Sequence, residues 1–157
     1  MMLSLRKSLC PLTRNERGAA VIELALVAPI FGALLIGMVD IGRAYSTKLQ
    51  LEQASQRAIE KVMNGQADTT VTTALKTEAA TTAGVPVAQA TVDFWLECDG
   101  ARATNYNSVC GAGQVSRRYL SVTITKAFTP MFTSRRMAGS NSDGSFTLTG
   151  ATGVRIQ

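Results

Sequence analysis

The chain has 157 residues, which is enough for one modest domain and a targeting or membrane segment. Of its formal net charge of +5, residues 1–18 contribute +3, from four basic residues and Glu16. A nucleic-acid-binding domain would concentrate basic residues on its folded part, so nucleic acid is not expected as a partner. The sequence has no histidine, which excludes the commonest general base and the commonest metal ligand.

Residues 19–39 form an apolar run of 21 residues that carries a single charge, Glu23. As a helix, a run of this length rises about 1.5 Å per residue and so matches the ~30 Å hydrocarbon core of a bilayer. Basic residues precede the run. The positive-inside rule therefore predicts a cytoplasmic N-terminus and an outer location for residues 40–157.

Three interpretations of this run compete. A secretory signal peptide would need a shorter apolar core and a small-residue cleavage site after it, and the run fits neither requirement. A plain single-span anchor explains the length and the orientation but not Glu23. In the third interpretation a basic leader, residues 1–18, ends in Gly18, cleavage exposes Ala19, and Glu23 becomes the fifth residue of the mature chain. This arrangement resembles a type IV prepilin signal.

The carboxylate of Glu23 needs a physical reason, because a charge inside a membrane helix costs ~2.5–3.5 kcal/mol or more. Cleavage would create an α-amino group on Ala19, four residues away. The prepilin resemblance implies that Glu23 pairs with the terminal amine of a neighbouring subunit and sets its axial register. The alternative is a carboxylate that reaches the headgroups near the end of the helix.

Helical periodicity continues past the apolar run, and Gly65 suits a position that ends a helix. One helix from about residue 19 to residue 64 is therefore predicted. Residues 19–39 would lie in lipid, and residues 40–65 would form an amphipathic continuation packed on a globular domain. Two helices broken near Gly42 are the alternative, because periodicity alone does not separate the two arrangements.

Residues 66–157 are predicted to form an outer domain. A short helix would begin at Asp68, as its N-cap, and end at Gly84. Three later segments alternate apolar and polar residues as strands do; they cover residues 85–96, 119–125 and 146–156. Gly150 and Gly153 are expected to mark a bend or bulge in the last of them. The expected fold class is α+β, with a long N-terminal helix, a short second helix and a small, mostly antiparallel sheet packed on the amphipathic part of the long helix.

Cys10 lies in the predicted leader, whereas Cys98 and Cys110 belong to the outer domain. In an oxidising compartment two such cysteines usually pair, so a disulfide is predicted. Two free thiols are the alternative, and redox catalysis is discounted because C-x-x-C spacing is absent. The closed loop is expected to expose Asn105 and Tyr106 as a candidate contact surface or, alternatively, to be a stapled surface loop without a partner.

Catalysis is not expected, because the sequence has no histidine, no G-x-S-x-G and no P-loop motif. No cofactor and no metal site are expected either. The only acidic cluster consists of Asp93, Glu97 and Asp99, which strand alternation would place on one face. These are too few predicted ligands to argue for Ca²⁺, and a solvated strand end is the alternative.

The most specific part of the sequence is R-G-A-A-V-x-E-x-A-L, followed by a proline and then by G-x-x-D-x-G-R-A-Y, all within residues 17–45. Two further segments, YLSVTITKAFTPMF at 119–132 and GSFTLTGATGVRIQ at 144–157, fit a closing β region. Together these segments resemble the TadE-like family of minor pseudopilins, from the tight-adherence (Flp/Tad) branch of type IV pilus systems.

The resemblance implies a pilin-like architecture and a part in pilus assembly and surface adhesion. It also implies that a prepilin peptidase cleaves between Gly18 and Ala19 at the cytoplasmic side. The chain would then lie in the lipid of the bacterial inner membrane with a periplasmic outer domain. Its partners would be other pilin or pseudopilin subunits and the pilus assembly platform. Leu24, where major pilins of this branch carry tyrosine, and the greater chain length favour a minor subunit. An uncleaved, single-pass binding module with a periplasmic domain is the competing hypothesis.

Overall fold

The computed structural model describes residues 16–63, 71–132 and 138–156. Most of the predicted leader lies outside the described residues, as do Gly65 and Asp68. The chain divides into two compact units, Met1–Gly37 and Met38–Gln157. The first unit contributes only helix to the described residues, whereas the second contains all the strands.

The first helix, α1, covers Glu16–Met63 and has 48 residues. It continues through Gly42, as the single-helix prediction required, and its only proline is Pro29. A proline inside a helix removes one backbone donor, but the apolar residues around it are otherwise good helix formers. The break considered near Gly42 is therefore absent from the described chain.

The second helix, α2, covers Thr72–Ala83 and ends in Gly84, which adopts a left-handed conformation with φ 63°. Glycine accepts this conformation without steric cost. The next N–H group, on Val85, donates back to the Ala80 carbonyl at 3.0 Å. A short 3₁₀ helix, Val87–Gln89, follows. The prediction that a strand begins at residue 85 is wrong, because this stretch completes the end of α2 and then turns.

The sheet has four antiparallel strands in the order β2-β1-β3-β4. Their bounds are Ala90–Cys98 for β1, Ala101–Arg102 for β2, Ser116–Phe128 for β3 and Phe146–Arg155 for β4. Strand β2 was not predicted. It follows β1 through Asp99 and Gly100, both with positive φ, which is the geometry that favours Asp-Gly in two-residue hairpin turns. The expected α+β fold class is confirmed.

The core of the second unit lies between the sheet and the two helices. Strand β3 carries the predicted alternation, and Leu120, Val122 and Ile124 are fully buried. The helical residues packed in the same cluster are Leu51, Ala54, Ala58, Ile59 and Val62 of α1 and Leu75, Ala79 and Ala80 of α2. Apolar burial of this kind contributes ~25 cal/mol per Å², so these contacts hold the second half of α1 to the sheet.

Strand β4 passes directly against the backbone of α1. The bulge considered at Gly150 and Gly153 is absent, because the pairing of β3 with β4 is uninterrupted along both strands. A Cβ added to Gly150 would lie 2.5 Å from the Leu51 Cβ and 2.6 Å from the Glu52 nitrogen. Gly150 is therefore the point where the helix touches the strand, which requires a residue without a side chain.

A buried hydroxyl pair lies beside this contact. The Ser55 hydroxyl donates to the Glu52 carbonyl at 2.8 Å and lies 2.7 Å from the Thr152 hydroxyl. Since the single proton of Ser55 is used on the carbonyl, Thr152 donates to Ser55. Ser55 is fully buried, so the pair satisfies polar groups that would otherwise be costly inside the core.

Candidate membrane and assembly segment

Helix α1 presents an uncovered apolar surface over its N-terminal part. Over Gly18–Met63 it is long and apolar enough to cross a membrane, and none of its 18-residue apolar window is buried. Large side chains such as Val21, Leu26 and Leu34 are exposed. A core helix of a globular domain would be mostly covered. This part of α1 is therefore a candidate membrane span, as expected of a membrane-anchored protein.

The predicted cleavage site and Glu23 lie in the first turns of α1. Gly18, Ala19 and Glu23 are exposed, and among the described residues a Cβ added to Gly18 would make no contact within 4 Å outside its own stretch of helix. Ala19 and Glu23 are four residues apart, so their side chains lie on the same face of the helix. Cleavage would place a terminal amine about one helical turn before the Glu23 carboxylate. Cleavage after Gly18 and the pairing of Glu23 stay predictions.

A second polar group on α1 lies immediately after the apolar run. Asp40 is only 8% exposed. One of its carboxylate oxygens accepts a hydrogen bond from the backbone N–H of Met131 at 2.8 Å. The other lies 3.4 Å from the guanidinium of Arg43, which in turn lies 5.6 Å from the ring centroid of Phe128. These contacts attach the helix to the segment that follows β3.

Sequence reasoning missed this role for Asp40 and Arg43, although both belong to the G-x-x-D-x-G-R-A-Y stretch. The available signal was an acidic residue directly after a membrane-length apolar run, with a basic residue three positions later on the same helix face. Its partner could not be found from the sequence, because Met131 contributes a backbone N–H and lies 91 residues away.

The cysteine loop follows the C-terminal end of β1, whose last residue is Cys98. Cys98 and Cys110 form a disulfide, with Cα atoms 5.5 Å apart, so the predicted bridge is present. Asn105 is exposed, as predicted, but Tyr106 is half-buried. The Tyr106 ring packs edge-on against Phe94 with centroids 5.6 Å apart. The prediction that Tyr106 is exposed for a partner is therefore wrong, because its ring holds the loop against the sheet.

Reduction of the Cys98–Cys110 bridge is expected to lower the free energy of unfolding of the outer domain by about 3 kcal/mol, the chain-entropy value for a loop of this length. Thermal unfolding of the full chain in detergent, with and without reductant, measures the effect. A variant with both Cys98→Ser and Cys110→Ser should melt at the temperature of the reduced chain, and reductant should not change its melting temperature. Equal melting temperatures for the unsubstituted chain under both conditions would exclude a stabilising bridge.

The three clustered carboxylates have separate partners. Asp93 pairs with Arg102 at 2.7 Å, and Glu97 accepts a hydrogen bond from the Trp95 indole at 3.0 Å. Asp99 lies in the turn after β1, not on a strand face as predicted, and accepts from the N–H of Val115 at 2.9 Å. Across residues 16–63, 71–132 and 138–156, no group of three or more acidic or cysteine side chains is arranged to hold a metal.

Comparison with known proteins shows a family match in the N-terminal part of the chain. Residues 18–59 match the family model described as TadE-like protein. No curated protein and no solved structure matches the chain significantly. The matched segment begins at the predicted cleavage site and includes Glu23, Asp40 and Arg43, but it ends before the sheet. The chain therefore carries a TadE-like segment over residues 18–59, and the family resemblance seen in its sequence is confirmed there.

Proposed function

We propose that the protein is a minor pseudopilin of a tight-adherence (Flp/Tad) type IV pilus. The TadE-like segment indicates a protein associated with this pilus system. One observation carries the finer proposal: the family match starts at Gly18, and Glu23 follows five residues later on the same exposed, apolar part of α1. In this role a prepilin peptidase removes residues 1–18, and the mature chain takes part in pilus assembly and surface adhesion.

The proposed chemistry is a charge pairing rather than catalysis. An isolated carboxylate in a membrane span is costly. The cost is ~2.5–3.5 kcal/mol or more at the centre of the bilayer and falls toward the end of the span. Cleavage supplies a compensating cation, the amine of Ala19. When a neighbouring subunit presents its own amine to Glu23, the pair is most favourable at one axial offset between the two helices. Glu23 would therefore set the register of assembly.

The remaining parts of the chain support an inner-membrane location with a periplasmic domain. The basic leader predicts a cytoplasmic N-terminus. The Cys98–Cys110 bridge supports an oxidising compartment for the sheet, because disulfides are rare in the cytoplasm. The partners proposed are the peptidase, other pilin or pseudopilin subunits, and the assembly platform in the same membrane.

The deciding experiment is N-terminal sequencing and intact-mass measurement of the protein from the membrane fraction of a host with the pilus system. The expected mature chain begins at Ala19. A chain that still begins at Met1 would overturn the proposal in favour of the uncleaved, membrane-anchored binding module.

The variant Glu23→Ala tests the assembly step separately. It is expected to reach the membrane and to be processed, but to enter pilus assemblies poorly, because no carboxylate remains to bind the neighbouring amine. The matched control is Glu60→Ala, which removes an exposed carboxylate from the same helix beyond the apolar run. Co-purification with other pilus subunits measures incorporation. Equal incorporation of the two variants would refute the pairing role.

A further inference from the structure

We propose that the segment 129–132, which follows β3, is a second membrane contact of this protein. Its two exposed apolar side chains, Met131 and Phe132, would enter the interfacial layer of the bilayer that α1 crosses. The proposal rests on the membrane anchoring proposed above, and it adds a lipid-binding surface on the outer domain itself.

The depth of the segment follows from Asp40. The apolar run ends at Val39, so Asp40 is the first residue beyond it. The N–H of Met131 donates to the Asp40 carboxylate at 2.8 Å, which holds the backbone of 129–132 at the level of this helix position. The polar layer on each side of a bilayer extends roughly 5–8 Å beyond the hydrocarbon core. Side chains at this level therefore meet lipid headgroups.

The direction of β3 agrees with this placement. Contacts of α1 with the sheet move along β3 in order. Ser55 contacts Thr152, which pairs with Val122. Arg43, three turns earlier on the helix, contacts Phe128. As α1 runs back toward the apolar run, β3 runs forward toward its last residue. The end of β3 and the segment after it therefore face the membrane side of the domain.

The disulfide loop marks the other end of the same strand. Cys98 pairs with Ser116, the first residue of β3. At about 3.3 Å per residue, Ser116 and Phe128 are separated by roughly 40 Å along the strand. The loop between Cys98 and Cys110 is therefore remote from the membrane and supplies a control site.

The exposed chemistry of the segment fits lipid. Met131 is 62% exposed and Phe132 is 57% exposed. The helix residues on either side of Asp40, Val39 and Ile41, are also exposed. The acidic group is turned inward, whereas the Arg43 guanidinium is half-exposed over Phe128. The apolar side chains of Met131 and Phe132 would contact lipid acyl chains, and the Arg43 guanidinium would contact the phosphate groups of the lipid headgroups.

We favour lipid over a second protein because the patch is continuous in sequence with the membrane span. Residues 38 and 39 end the apolar run, and Asp40 is bonded to Met131. A protein occupant would have to displace lipid from this position.

Depth-dependent fluorescence quenching tests the proposal on the full chain in proteoliposomes. The sequence has a single tryptophan, Trp95, so Trp95→Phe provides a dark background. Three variants each add one tryptophan to it: Phe132→Trp at the proposed contact, Leu34→Trp in the apolar run and Val109→Trp in the disulfide loop, where the side chain is 91% exposed. The vesicles contain lipids brominated near the headgroup end of the acyl chain, and iodide serves as the aqueous quencher.

Fluorescence of the Leu34→Trp and Phe132→Trp variants is expected to fall about twofold in brominated vesicles, because interfacial side chains lie ~5–10 Å into the headgroup and acyl boundary. The Val109→Trp variant should respond to iodide alone. Bromine quenching at Leu34→Trp without quenching at Phe132→Trp would overturn the interfacial contact and leave membrane anchoring intact. A Phe132→Trp side chain that is shielded from both quenchers would place a protein there and also overturn the proposal. Absence of bromine quenching at Leu34→Trp would refute the anchoring, and the contact with it.

Discussion

The variant Gly18→Val is expected to accumulate with residues 1–18 still attached, in a host that processes the unsubstituted chain completely. A peptidase that cuts after Gly18 must bring its own groups close to the backbone there, and glycine is the residue that allows such an approach. Within the described residues, a Cβ at this position would make no contact closer than 4 Å outside its own stretch of helix. The block would therefore arise in the enzyme complex and not from damage to the fold.

The matched control is Gly32→Val, in the same helix. A Cβ at Gly32 also meets nothing within 4 Å, and valine is well tolerated by lipid. This variant should be cleaved normally and begin at Ala19. Intact-mass measurement of membrane-fraction protein reads out both variants. Normal processing of the Gly18→Val chain would show that Gly18 does not define the cleavage site.

The variant Gly150→Ala is expected to destabilise the outer domain by about 1–3 kcal/mol, the usual cost of forcing an extra carbon into a packed core. The added Cβ would lie 2.6 Å from the backbone nitrogen of Glu52, and helix backbone cannot move aside as a side chain can. For a domain of this size each kcal/mol lowers the melting temperature by roughly 4–8 °C. Thermal unfolding of the full chain in detergent measures the change.

Gly153→Ala provides the control on the same strand. A Cβ there would meet the Leu120 carbonyl oxygen and the Ser121 Cβ at 3.7 Å, which is ordinary contact. Both substitutions reduce the entropy of the unfolded chain to a similar extent, so the difference between them isolates the packing against α1. If the two variants melt at the same temperature, the close contact at Gly150 does not stabilise the domain.

The sequence predicts those helices and strands in which apolar residues recur with a regular spacing. The alternation around Leu120, Val122 and Ile124 identified the buried face of β3, and the apolar run and its continuation identified α1. These patterns reflect which side chains leave water, and the removal of apolar surface from water is the dominant driving force of folding. The long helix, three of the four strands and the buried face of β3 could therefore be predicted from the sequence.

The features that were missed depend on contacts between distant residues. Gly150 and Gly153 predict a bend or bulge, but a glycine in a strand marks either a bulge or a close backbone approach, and the sequence does not distinguish them. Val85 and Val87 alternate like a strand, but the N–H of Val85 bonds to the end of α2. Asp40 gave no sign of its partner because the donor is a backbone group.

The close fit between Gly150 and α1 has a mechanical consequence. A shift of α1 along its axis by one residue is about 1.5 Å. Such a shift would move the backbone of Leu51 and Glu52 away from Gly150 and toward strand residues that carry side chains, for which this contact has no room. A force applied along the axis of the second half of α1 is therefore transmitted directly to the β-sheet, because the helix does not slide along the strand first. When that part of the helix is pulled, the sheet is therefore expected to follow it.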